Sequence, residues 1–249
     1  MDSALQGKVV LVSGGSSNLG SAICRAFSAE GAVVVCTWAS QGGRLRAEAL
    51  ARELPSCRSQ AMDVRSEDSV SGALDEIART EGRLDVLVNN SGVFTVSPQE
   101  ELTEEDWDKV FDTNIKGLWR VCRRALPSLR ASAPSAIVNI ASINAFHPGF
   151  GDTAHYDASK GAVVSYTKAL AEEVGGDGVR VNAIAPGLLD APYLRTPGNE
   201  LGAKYRARAV LGRLVDPSEV ASVAVFLAGA RSSGIVGQTI TVDCGYLLR

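Results

Sequence analysis

The amino-acid sequence predicts an α/β protein: one domain with a doubly wound parallel sheet of about seven strands and helices on both faces. Short apolar runs alternate with longer stretches of helical periodicity along the chain. Runs such as Val9–Val12 are apolar at every position, which is typical of strands covered on both faces. No linker, low-complexity segment or repeat divides the 249 residues, so we expect a single domain over 1–249.

Seven segments are candidate strands, and six segments between them are candidate helices. In chain order the strands are predicted at 9–12, 33–36, 59–62, 86–88, 137–140, 179–184 and 239–242, with 59–62 the weakest. The helices are predicted at 19–29, 44–53, 67–79, 104–129, 154–174 and 218–227. Helix-start residues support three of these: Ser66, Thr103, and Asp216 followed by a proline.

The stretch 188–213 departs from this alternation. It contains Pro192, Pro197, Gly198 and Gly202 and shows no clear period. An irregular stretch of this length inside a compact domain is commonly functional, so we predict a lid over a substrate site. A surface insertion without function is the alternative.

Composition excludes several classes of protein. The net charge of -3 provides no positive field for nucleic acid or an anionic membrane. The five cysteines are scattered, with no closely spaced pair, which favours a reducing compartment over disulfides or a zinc site. No apolar run approaches the roughly 20 residues of a membrane span. We therefore expect a cytoplasmic protein with no metal, no nucleic-acid partner and no membrane contact.

A turn of small residues joins the first strand to the first helix. It reads Ser13-Gly14-Gly15-Ser16-Ser17-Asn18-Leu19-Gly20. In a parallel sheet such a turn lies at the carboxyl end of the strand, where backbone N–H groups and the helix N-terminus can approach a diphosphate closely. A tight turn without a ligand is the alternative.

The stretch Tyr156-Asp157-Ala158-Ser159-Lys160 places a phenol and an ammonium four residues apart, on one face of a helix. A free tyrosine has a pKa near 10, and a neighbouring cation favours its ionised form. Such a pair by itself more often lies on a solvated helix face without a catalytic role. A buried strand that ends in Ser142 changes this interpretation, because the Ser142 hydroxyl can bind a substrate oxygen beside the pair.

Together these motifs resemble those of the short-chain dehydrogenase/reductase family, whose fold is Rossmann-like, and the resemblance is strongest to 3-oxoacyl-carrier-protein reductase-like members. The resemblance implies that Ser142 binds the substrate oxygen and that Tyr156 is the general acid and base. Lys160 would tune Tyr156 and contact the nicotinamide ribose. Asn114 matches the family asparagine that holds a proton-relay water, although a packing role for Asn114 is the alternative.

The resemblance also implies a set of cofactor-binding residues spread over the strand ends. They are Ser13, Gly14, Ser16, Asn18, Leu19, Gly20, Trp38, Ser40, Asp63, Val64, Asn90, Ser91, Gly92, Tyr156, Lys160, Pro186 and Gly187. Five positions depart from the family pattern: Asn18 and Cys244 replace glycines, Ala191 and Ser13 replace threonines, and Ser91 replaces an alanine. Because asparagine tolerates positive φ, we expect the turn to form with Asn18 in it.

The end of the second strand bears on the choice of dinucleotide. Residues 36–41 contain no acidic residue to bind a ribose 2′-hydroxyl, which weakens the case for NAD. Ser40 and Arg44 are candidates to meet a 2′-phosphate, although Ser17 stands where many NADPH-dependent relatives have arginine. We therefore predict NADP(H) as the preferred cofactor, with NAD(H) possible.

The remaining predictions concern substrate and assembly. Asn144, Phe150 and Tyr193 are the candidate substrate-binding residues, within segments whose apolar side chains favour an apolar carbonyl or alcohol. The long helices and the apolar tail at 246–248 predict oligomer contacts, and the family resemblance implies a homotetramer. We expect an oxidoreductase that transfers a hydride between NADP(H) and a carbonyl or secondary alcohol. The alternative is a catalytically silent dinucleotide-binding or scaffold protein on the same fold.

Overall fold

The structure is a computed structural model, and it describes residues 4–149, 151–196 and 198–249. In this part of the chain the strands are β1 Val9–Val12, β2 Val33–Trp38, β3 Cys57–Ala61, β4 Val86–Asn89, β5 Ser135–Ile140, β6 Val179–Pro186 and β7 Thr239–Val242. The α-helices are α1 Asn18–Ala29, α2 Gln41–Glu53, α3 Glu67–Thr80, α4 Glu104–Phe111, α5 Leu118–Ala131, α6 Ala154–Val174, α7 Glu200–Arg208 and α8 Pro217–Ala228.

The strands form one parallel sheet in the order β3-β2-β1-β4-β5-β6-β7. Helices α1, α2 and α8 contribute to the apolar core on one face, and α3, α5 and α6 to the core on the other. The predicted doubly wound sheet is therefore confirmed. Because both faces are covered, strands such as β1 are buried at every residue.

The point where the sheet order reverses positions the site. The chain runs outward from β1 through β2 to β3 and then returns to place β4 on the other side of β1. This arrangement opens a crevice at the carboxyl ends of β1 and β4, where open α/β sheets bind their ligands. The register pairs Val12 with Val88 and Asn89 with Asn139, so the ends of β1, β4 and β5 lie level.

Two elements differ from the prediction. The helix expected over 104–129 is divided by a π-helical segment, Asp112–Gly117, between α4 and α5. The stretch 188–213, expected to be irregular, contains α7 and a 3₁₀ turn at Pro192–Arg195. Only Gly202 and Tyr205 of α7 are buried, so this helix has too narrow an apolar face to produce a detectable period.

Candidate active site

Ser142, Tyr156 and Lys160 meet at one cavity of about 280 Å³. Ser142 follows β5, while Tyr156 and Lys160 lie one turn apart on α6. The same cavity is lined by eight further residues of the predicted site or its neighbourhood: Ser17, Asn18, Leu19, Asn90, Gly92, Ile140, Pro186 and Gly187. Part of the predicted turn therefore shares one space with Ser142, Tyr156 and Lys160 at the carboxyl edge of the sheet. Other predicted site residues do not line this cavity: Asn114, Ser13, Gly14, Ser16 and Gly20.

Lys160 is a buried cation, with only 5% of its surface exposed. Its Nζ donates a hydrogen bond to the carbonyl oxygen of Ile140 at 2.8 Å, and it lies 5.8 Å from the centroid of the Tyr156 ring. Burial disfavours the charged form and lowers the pKa of Lys160 to about 8. The amine therefore titrates within reach of physiological pH, which suits a group that tunes a neighbouring acid.

The Tyr156 hydroxyl is held in its neutral form. Burial raises the pKa of Tyr156 to about 12, a hydrogen bond with Ser142 acts in the opposite direction, and the charge of Asp157 adds to the rise. The ring of Phe94 meets the Tyr156 ring edge to face, with centroids 4.8 Å apart. The phenol thus retains its proton at neutral pH and is oriented by aromatic packing, as a proton donor should be.

Asn114 lies on the π-helical segment, and its side chain makes three hydrogen bonds to protein groups. Its Oδ1 accepts from the Val93 amide at 2.8 Å, and its Nδ2 donates to the Val93 carbonyl and to Ser159 Oγ, both at 3.0 Å. These bonds attach the segment after β4 to α6. A Cβ added to Gly92 would lie 3.3 Å from Asn114 Oδ1 and 3.6 Å from Lys160 Nζ, so these groups border the same glycine.

The small-residue turn is supported from β4 by Asn90. The Asn90 Nδ2 donates to the carbonyls of Ser13 and Gly14, each at 3.0 Å, and Ser13 Oγ accepts from the Asn90 and Ser91 amides. A Cβ on Gly20 would come within 2.3 Å of the Gly14 carbonyl, so only glycine fits there. Residues 18–21 contain no acidic side chain, which leaves the positive N-terminus of α1 open to an anion.

Asn18 does not adopt the positive φ that its place in the motif suggested. It is the first residue of α1 and lies in ordinary helical backbone, outside the set of positive-φ residues. Its Nδ2 instead donates to the carbonyl oxygen of Asp190, 3.0 Å away and 172 residues later in the chain. The departure from glycine therefore adds a contact between the turn and the segment that follows β6.

Polar groups gather where β2 ends. Ser40 Oγ caps α2 by accepting from the Gly43 amide at 3.1 Å, and a Cβ on Gly43 would lie 3.1 Å from Ser16 Oγ and 3.2 Å from Ser40 Oγ. Arg44 is paired with Glu48 at 2.7 Å and lies over the Trp38 ring. Arg46, which the sequence analysis did not single out, donates from Nε to the Ser16 carbonyl at 3.1 Å.

Asp63 and Val64 follow β3, outside the cavity that contains Tyr156. The Asp63 carboxylate binds Arg65 at 2.8 Å, and this pairing holds the pKa of Asp63 below its usual value. Val64 is buried, and a Cβ on Gly117 would lie 2.7 Å from its Cγ2. Both residues therefore also stabilise the local structure.

A second cavity, of about 250 Å³, adjoins Ser142 and Tyr156 on the substrate side. Its other lining residues are Phe94, Ile143, Asn144, Gly187, Leu188, Leu189, Tyr193 and Leu201. Asn144 and Tyr193 thus lie where the sequence predicted a substrate, while Phe150 lies outside the described residues. Phe94 and Leu201 were missed because each is a single apolar residue in an irregular or weakly periodic segment.

The two histidines of the chain lie away from both cavities. His155 is fully buried, with Nε2 at 2.6 Å from Thr95 Oγ1, and His147 Nδ1 lies 2.6 Å from the Pro148 carbonyl. Neither residue lines the cavities at Tyr156.

A chain of hydrogen bonds supports Ser142 and was not foreseen. Asp157 accepts from Asn144 Nδ2 at 2.7 Å and from the Gly149 amide at 2.8 Å. Because Asp157 holds the amide nitrogen of Asn144, Asn144 Oδ1 faces Ser142 Oγ at 3.4 Å. Asp157 therefore orients the residues beside the phenol.

Within the described residues, no group of three or more His, Cys, Asp or Glu side chains is placed to hold a metal ion. None of the helices in the described ranges is long and apolar enough to cross a membrane.

Comparison with known proteins finds relatives that span the chain. A family profile described as "Enoyl-(Acyl carrier protein) reductase" matches residues 14–247. A meso-2,3-butanediol dehydrogenase of Serratia marcescens is 38% identical over 241 residues, which cover 96% of this chain and 94% of that protein. A 3-oxoacyl-[acyl-carrier-protein] reductase of Thermotoga maritima is 33% identical over 248 residues, covering 98% and 99%.

A solved structure agrees with this chain over almost its whole length. It is a blue fluorescent protein from a metagenomic library, in complex with NADPH. The TM-score is 0.91, the sequence identity is 29%, and the match covers 97% of this chain and 98% of that chain. The likeness therefore extends over the complete sheet as well as the motifs.

Proposed function

The chain belongs to the short-chain dehydrogenase/reductase family, and on that premise we propose that Tyr156 is the general acid and base for hydride transfer between NADP(H) and a small carbonyl compound or secondary alcohol. The chain is an oxidoreductase, since its relatives over nearly its whole length are named dehydrogenases and reductases. The observation that carries the proposal is the single cavity shared by the turn residues, Ser142, Tyr156 and Lys160.

The residues around this cavity fit a dinucleotide. The turn offers the N-terminus of α1 to a diphosphate, and no acidic side chain in residues 13–21 opposes it. Asn90 supports the turn, while Pro186 and Gly187 form the opposite wall. The nicotinamide coenzyme, when bound, supplies or receives the hydride.

The proton is handled by residues of this chain. Ser142 Oγ holds the substrate oxygen, and the Tyr156 hydroxyl donates its proton to that oxygen as the carbonyl carbon is reduced. The Lys160 ammonium favours the phenolate that remains, since an opposite charge nearby lowers a phenol pKa. In the oxidative direction the same phenolate removes the proton from the alcohol.

The preference for NADP(H) rests on the end of β2. Residues 36–41 lack a carboxylate that would repel a 2′-phosphate. The hydroxyl oxygens of Ser16 and Ser40 both lie near Gly43 at the start of α2, at 3.1 Å and 3.2 Å from where a Cβ on Gly43 would be. Arg46 lies beside them, with its Nε donating to the Ser16 carbonyl. Arg46, rather than Arg44 with its partner Glu48, is the cation that we assign to the phosphate.

The size of the second cavity favours a small substrate. Its volume of about 250 Å³ lies below the roughly 300–1,000 Å³ that is typical of pockets for drug-sized ligands. Leu188, Leu189 and Phe94 make most of its wall apolar, while Asn144 adds one polar group. We propose a compact ketone or alcohol, and we retain 188–213 as the lid because four residues of that stretch line the cavity.

We also propose a homotetramer in the cytoplasm. The aromatic rings of Trp107 and Phe111 stack on α4 with centroids 4.6 Å apart, and Trp107 is 39% exposed. Trp119 on α5 is 37% exposed beneath Arg123. These aromatic surfaces suit contacts between subunits. All five cysteines are free, which suits a reducing compartment.

The test is to follow loss of NADPH or NADH absorbance with a panel of small ketones. We expect turnover with NADPH that Tyr156→Phe lowers by at least a hundredfold without loss of coenzyme binding. The control is Tyr166→Phe on the same helix, which removes a hydroxyl from a residue outside both cavities and should leave turnover intact. Full activity of Tyr156→Phe contradicts the mechanism. Coenzyme binding without turnover on any carbonyl supports the silent alternative.

A further inference from the structure

The Asn18 side chain bridges two distant parts of the chain. Asn18 is the first residue of α1, directly after the turn, and the carbonyl that its side chain binds belongs to Asp190, just after β6. Asp190 is held in place by its own contacts, because its amide donates to the Val215 carbonyl at 2.8 Å and its carboxylate pairs with Arg195. The acceptor for Asn18 is therefore fixed before any ligand arrives.

This bridge lies where two cavities adjoin. Asn18 and Ser17 line both the cavity that contains Tyr156 and Lys160 and a larger one, of about 570 Å³, bordered by Ser16 and by residues 191–193. A ligand that extends from Ser16 to Lys160 must pass Asn18. The hydrogen bond to Asp190 therefore lies beside the path of any such ligand.

We propose that the Asn18–Asp190 hydrogen bond is a clasp that retains the bound coenzyme. This proposal rests on the proposed function, because the retained ligand is the nicotinamide dinucleotide. Asn18 is a positioning residue here: it holds the base of the stretch 188–213 against the diphosphate turn, so that release of the coenzyme requires the bond to break. A glycine at this position, as in the family pattern, cannot make this hydrogen bond.

The expected effect is modest because the bond joins two neutral groups near solvent. A hydrogen bond of this kind changes a dissociation rate by about three- to tenfold. The alternative role is purely structural, in which Asn18 stabilises the start of α1. Loss of the bond lowers the thermal stability of the free protein in either role, but only a clasp changes the release rate of the coenzyme.

The experiment measures release of NADPH from the full-length protein by stopped-flow fluorescence, with excess NADP⁺ to prevent rebinding. Asn18→Leu keeps the volume of the side chain without its donor, and Asn18→Gly removes the side chain. Ser28→Ala is the control, because Ser28 lies near the other end of α1, lines neither cavity, and donates its hydroxyl to the Pro55 carbonyl at 3.0 Å. Melting temperatures are recorded for all four proteins without coenzyme.

We expect both Asn18 variants to release NADPH three- to tenfold faster than the wild type and Ser28→Ala to match the wild type. Wild-type release rates in both Asn18 variants overturn the clasp and leave the proposed function intact. Faster release in Asn18→Leu alone also overturns it, since that pattern indicates a steric effect. Failure of the wild type to bind either dinucleotide overturns both the clasp and the proposed function.

Discussion

Replacing the buried cation Lys160 with methionine should stabilise the fold while it abolishes activity. Lys160 is 5% exposed, and burial lowers its pKa to about 8 from the ordinary value of 10.5. At about 1.4 kcal/mol per pKa unit, holding the ammonium in this site costs about 3 kcal/mol at pH 7. Loss of the hydrogen bond to the Ile140 carbonyl offsets about 1 kcal/mol of the gain. We expect Lys160→Met to raise the free energy of unfolding by about 2 kcal/mol at pH 7.

The pH dependence gives this prediction its sign. Between about pH 8 and pH 10.5 the unfolded lysine keeps its proton while the folded lysine has lost it, so the unfolded state binds more protons and wild-type stability rises with pH. Below pH 8 Lys160 is protonated in both the folded and the unfolded state, so the full free-energy cost of the buried ammonium remains. The advantage of Lys160→Met should therefore shrink by about 2 kcal/mol between pH 7 and pH 9.5.

The assay is urea unfolding of the coenzyme-free proteins at both pH values, with turnover measured in parallel. Lys168→Met is the control, because Lys168 is an exposed lysine on the same helix and should change stability little at either pH. A Lys160→Met protein that is less stable than the wild type at pH 7 refutes the reasoning. A stability difference that stays constant with pH refutes it equally.

Three further predictions concern the support of the site. Asp157→Asn leaves one acceptor oxygen for two donors, Asn144 Nδ2 and the Gly149 amide, so the Asn144 amide loses its fixed orientation. We expect kcat to fall about tenfold with little change in the melting temperature. Steady-state kinetics that show an unchanged kcat contradict this prediction. Arg46→Ala should raise the KM for NADPH about tenfold and leave the KM for NADH unchanged. The control, Arg44→Ala, should change neither KM, because Arg44 is paired with Glu48. Equal effects of Arg46→Ala on both KM values exclude a contact with the 2′-phosphate. Gly20→Ala places a methyl group 2.3 Å from a backbone oxygen and should lower the free energy of unfolding by about 1–3 kcal/mol, with a wild-type melting curve as the contrary result.

The predicted core elements follow from local patterns that the fold preserves. Helix α6 begins and ends where its periodicity predicts, and β1 has its predicted bounds. Buried strands and amphipathic helices keep their apolar patterns because burial selects the side chains position by position. Helix α7 was missed for the same reason, since only Gly202 and Tyr205 of its residues are buried.

The residues of the candidate site are likewise predictable only where a local motif contains them. The order of motifs along the chain predicts Ser142, Tyr156 and Lys160 as site residues. The support of those residues was not visible in the sequence, because Asp157 acts through Asn144, which lies 13 residues earlier in the chain. Arg46 differs from Arg44 only in where its side chain reaches, and no local pattern distinguishes the two.

By itself, the sequence determined the parallel sheet, and its motifs predicted the dinucleotide turn and the residues that we propose for the chemistry, because each motif is a matter of residue type and spacing along a short segment. The tertiary structure alone decided how Asn18 is used, which arginine lies beside the turn at β2, and how Lys160 is buried. Those properties depend on groups that folding brings together from distant parts of the chain. Hydrogen bonding and desolvation act over a few ångströms in space, and a linear pattern carries no record of such distances.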